Sequence, residues 1–86
     1  MIARGYNLEV LMLKVATIFN VTAEEIFSPE KYTKRVQARS VFSYWAVREL
    51  GETASYIAKK IGISQPAVSR TVERGERIVK EMGLDL

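Results

Sequence analysis

The chain has 86 residues, 48% of them apolar, which suffices for one small domain around a single core and leaves nothing for a second. Its 13 Lys and Arg against 10 Asp and Glu leave a formal charge of +3, and it contains neither cysteine nor histidine. That composition excludes a disulfide, a thiolate metal site and a cysteine nucleophile, and it removes the commonest general base, so a non-catalytic chain with no metal and no cofactor is expected.

The first six residues read as an unstructured arm. Asn7 can cap a first helix in which Leu8, Leu11, Met12, Val15, Ala16 and Phe19 form a buried stripe, while Val10 and Leu13 fall outside it. The outer side of this helix offers room for a second copy of the chain or for a preceding catalytic domain. Glu9 and Lys14 interrupt the apolar run, so neither a signal segment nor a membrane span is predicted, and no membrane partner is expected. The expected location is the cytoplasm, in association with the nucleoid.

Asn20 suits a left-handed helix end. Thr22 and Glu25 then form a capping box, with Val21 and Ile26 as its hydrophobic staple, and a short second helix should end near Phe27. Ser28 and Pro29 break it, and a basic connection follows. A long third helix is predicted from Thr33 or Lys34 to Leu50, with Ala38, Val41, Phe42, Trp45, Ala46 and Leu50 inward as the central pillar. Gly51 closes it.

Residues 53–72 then carry two short amphipathic patterns across a tight turn. Thr53 is a competent N-cap, and Ile57, Ala58 and Ile61 share one face. Gly62 can turn the chain in the left-handed conformation, and Ile63 plugs the space between the helices. Ser64 restarts the helix, with Pro66 in its first turn, where a missing amide hydrogen costs little. The last helix is predicted to reach Met82 with Val68, Val72, Gly75, Val79 and Met82 on one stripe, Gly75 permitting close approach of another helix. Glu73 with Arg77 and Glu76 with Lys80 have the spacing of intrahelical ion pairs. Few long alternating runs are present, so the predicted fold is all-α, a compact bundle of about five helices in one domain spanning residues 1–86, with a helix-turn-helix at 53–82.

Charge follows the same organisation. Residues 1–30 carry Glu9, Glu24, Glu25 and Glu30 against Arg4 and Lys14. Residues 31–70 carry Lys31, Lys34, Arg35, Arg39, Arg48, Lys59, Lys60 and Arg70 against only Glu49 and Glu52. A basic excess centred on the predicted motif suits a phosphate-binding surface. Gln65, Ser69, Arg70, Glu73 and Arg74 point outward from the second helix of that motif, and Gln, Ser and Arg are side chains that read bases in a major groove.

The run VATIFNVTAEEIFSPEKYTKRVQARSVFSYWAVREL, followed by IGISQPAV, resembles the C-terminal DNA-binding domain of the bacterial replication initiator DnaA, a member of the Trp-repressor-like helical fold. Where that family has an Asp-His pair followed by small hydroxylated residues, this chain has Ser64, Gln65, Pro66 and Ala67. The combination of YWAVRELG with SQPAVSRTVERGE is similar to the DnaA-like domain of REP-associated tyrosine transposases, whose histidine metal site and tyrosine nucleophile lie on another domain. The resemblance implies DNA as partner. It implies that Gln65, Pro66, Ser69 and Arg70 reach bases, and that Lys31, Lys34, Arg35, Arg39, Thr53, Ser55, Lys59, Lys60, Ser64 and Arg74 meet phosphates or the minor groove. It favours the targeting domain of a transposase-like protein, with a stand-alone replication or transcription regulator and a protein-interaction module as the alternatives.

Overall fold

Helix boundaries are set by local hydrogen-bond chemistry. In a computed structural model, which describes residues 7–26 and 33–86, α1 spans Leu8–Phe19 and is opened by Asn7, whose side chain accepts from the Val10 amide at 2.9 Å. It closes on Asn20 in the left-handed conformation (φ 55°). The capping box forms as expected at α2 (Ala23–Ile26). The Glu25 amide donates to the Thr22 hydroxyl oxygen at 3.1 Å, and the Thr22 amide donates to the Glu25 carboxylate at 2.8 Å. The expected arm at residues 1–6 lies outside the described residues. So do the end of the second helix near Phe27 and the basic connection that includes Lys31.

The third helix, α3, spans Thr33–Arg48 and stops two residues short of the expected Leu50. The Leu50 amide still reaches back to the Trp45 carbonyl at 3.1 Å, and Gly51 turns the chain at φ 74°. Leu50 thus stays buried although it has left the helix. Then come α4 (Ala54–Ile61) and α5 (Gln65–Met82). Among the described residues there are five helices and no strand.

The core sits around α3, which packs on every other helix, with α1 and α5 on separate sides of it and not on each other. Its inward residues Ala38, Val41, Phe42, Trp45 and Ala46 are buried among Leu11, Val15 and Phe19 of α1, Ile26 of α2, and Ile57, Ile61, Val68 and Val72 of α4 and α5. The Lys14 ammonium lies 5.9 Å from the centre of the Trp45 ring, within range of a cation–π attraction.

Where α3 crosses α5 the backbones come into direct contact. A Cβ added at Gly75 would collide with the Ser40 carbonyl oxygen and lie 2.7 Å from Tyr44 Cβ. Ser40 and Ser43 are buried on α3, their hydroxyls donating to the Val36 and Arg39 carbonyls at 2.8 Å each. Met82 departs from the expected stripe and is half exposed, whereas Leu84 and Leu86 just beyond it pack against the core. Of the two spaced ion pairs, Glu76 with Lys80 closes to 3.9 Å.

Candidate nucleic-acid interface

The surface built by α4 and α5 begins with two caps. Thr53 stands in an extended conformation and its hydroxyl oxygen accepts from the Tyr56 amide at 3.1 Å. Ser64 does the same for the Ala67 amide at 3.3 Å. Because the oxygen lone pairs serve the helix, each hydroxyl proton is left to donate outward, as a phosphate contact requires. Between the caps, Gly62 takes φ 74° and the amides of Gly62 and Ile63 both donate to the Ala58 carbonyl, at 2.9 and 3.0 Å. That closed turn fixes the angle between the helices, with Ile57, Ala58, Ile61, Val68 and Val72 sealed beneath it.

Everything polar on the first turns of α5 is left outside. Gln65, Pro66, Ser69, Arg70 and Arg74 are all exposed, as are Ser55, Lys59 and Lys60 on α4. The structure therefore gathers most of the expected contact residues onto two adjoining helices. Tyr56, about half exposed beside Ser55 and one turn before Lys59 and Lys60, belongs to the same surface. Its position off the Ile57–Ala58–Ile61 face was the signal for it.

The basic residues at the start of α3 behave differently. Lys34 is exposed, but Arg35 pairs with the Glu25 carboxylate and Arg39 donates through Nε to the Ile26 carbonyl at 3.0 Å. Both guanidiniums are half-buried and tie α2 to α3. The Glu25 carboxyl is held below its ordinary value, first by the Thr22 amide and next by the Arg35 guanidinium. Burial weighs against the charge of Arg39 and lowers its value too, although a guanidinium stays protonated in any case. Lys31 lies outside the described residues. Among the described residues no group of acidic side chains is placed to hold a metal ion.

Nothing among family models, curated proteins or solved structures matches this chain. Any function must therefore be argued from the surface itself. Among the described residues no helix is long and apolar enough to cross a membrane.

Proposed function

We propose that the chain binds duplex DNA through a helix-turn-helix made by α4 and α5, with α5 in the major groove, and that it serves as the targeting domain of a transposase-like protein. The observation that carries the DNA reading is the capped, rigidly turned start of α5, from which Gln65, Pro66, Ser69 and Arg70 project together into solvent. Gln pairs with adenine through two hydrogen bonds, Arg with guanine, and Ser with either base or backbone. Thr53, Ser55, Lys59, Lys60, Ser64 and Arg74 surround them as phosphate contacts, which orient the helix without reading sequence. Arg35 and Arg39 contribute by holding α2 on α3, which leaves Lys34 as the exposed cation at that end among the described residues. The transposase assignment rests on the resemblance of SQPAVSRTVERGE to that group. A single module of this size buries about 600–1,000 Å² against DNA, so a tethered second domain would raise its modest affinity.

The test is selection of bound duplexes from a random pool, with the winners titrated at two salt concentrations. A short enriched motif whose affinity falls steeply with salt is expected. Gln65→Ala and Arg70→Ala should each relax preference at one position by about 1–3 kcal/mol. Lys59→Ala should weaken all sequences alike and reduce the salt slope by about one. No binding at low salt would overturn the proposal.

A further inference from the structure

Over its first three turns the outward face of α5 contains one residue whose charge is wrong for phosphate, Glu73. Opposite the buried line Val68, Val72, Gly75 runs the line Pro66, Arg70, Glu73, Arg77, at successive steps of four, three and four residues, and all four are exposed. Between Thr53 and Arg74 the two helices and their turn hold Lys59, Lys60, Arg70 and Arg74, and Glu73 is the single acid among them. It stands on the outward line between Arg70 and Arg77, one turn beyond Arg70. A carboxylate there is repelled by the backbone of any DNA that α5 enters, so it opposes indiscriminate binding.

Its chemistry also narrows what it can meet. An ionised carboxylate only accepts hydrogen bonds. In the major groove guanine presents the acceptors N7 and O6, and thymine presents O4 and a methyl group, so both reject it. Adenine offers its N6 amine beside the N7 acceptor, whereas cytosine offers the N4 amine with no acceptor of its own in the groove. Resting on the assignment of α5 as the groove helix, we propose that Glu73 selects a cytosine in the target. Glu73 follows Arg70 by three residues on the same line, about 4.5 Å along the helix, which sets the cytosine roughly one base-pair step from the base that Arg70 reads. Arg70 and Arg77 occupy the positions three before and four after it on the same exposed line.

The experiment runs the same random-pool selection on the full chain, on Glu73→Gln and on Glu73→Ala, each first shown to keep the parent's helical circular dichroism. The parent is expected to enrich a motif with one cytosine column next to that governed by Arg70, preferred about 5- to 100-fold over other bases. Glu73→Ala should flatten that column alone while binding to random duplex grows stronger, and Glu73→Gln should shift the column toward adenine, the partner of an amide. A parent motif that all three proteins share unchanged would overturn the role of Glu73 and leave the DNA-binding proposal standing. A parent that binds no duplex at low salt would overturn both.

Discussion

Gly75 carries more of the architecture than any side chain of α5. Replacing a glycine in a helix interior by alanine ordinarily stabilises by about 1 kcal/mol. Here the added methyl meets the Ser40 backbone, which cannot rotate aside. Gly75→Ala should therefore lower stability by about 1–3 kcal/mol, a drop of roughly 4–20 °C in thermal midpoint. A midpoint that rises instead would mean that α3 and α5 can part without cost. That a glycine at this place marks a close crossing was legible in the sequence. Which residues it crosses was not, because Ser40 is a polar type that reads as surface until its hydroxyl is seen to bond its own helix. The exposure of Gln65, Ser69 and Arg70 was legible for the converse reason, since it follows from the spacing of Val68, Val72 and Gly75 alone.

At the scale of elements, the ends of helices were the most readable features. Asn7, Asn20, Thr22, Thr53, Gly62 and Ser64 act on neighbours a few residues away, so their roles need no knowledge of the fold. The attachment of α2 to α3 is different. It depends on Arg35 and Arg39 reaching Glu25 and Ile26 across the intervening chain, which no local pattern reveals and which gives two expected phosphate contacts a structural task as well. Glu25 also makes that fastening sensitive to acid. Its carboxyl is lowered from an ordinary 4.5, so the stability it contributes is complete above that value and is lost as pH falls through the lowered one. Glu25→Gln should lower the thermal midpoint at neutral pH and leave a smaller difference from the parent near pH 3. Equal differences at both pH values would show that the contact works through shape and not through charge.

For the molecule as a whole, one core shared by all five helices implies that they are lost together. Helical circular dichroism and tryptophan emission should give superimposable unfolding curves in urea, and Trp45→Ala should shift the transition by about 3–5 kcal/mol. Separate transitions would divide the chain into independently melting parts. The all-α expectation holds because every long apolar pattern in the sequence has helical spacing. The half exposure of Met82 escaped that reasoning, since a periodic stripe does not announce that the residues after the helix, Leu84 and Leu86, take the core contacts at this end.

Trp45 is the sole tryptophan, 2% exposed, with the Lys14 cation beside its ring and α1 on that side of α3. The protein thus carries a built-in fluorophore buried in its interior. Its emission can follow the integrity of any variant that keeps Trp45 while a labelled oligonucleotide follows occupancy, in one cuvette.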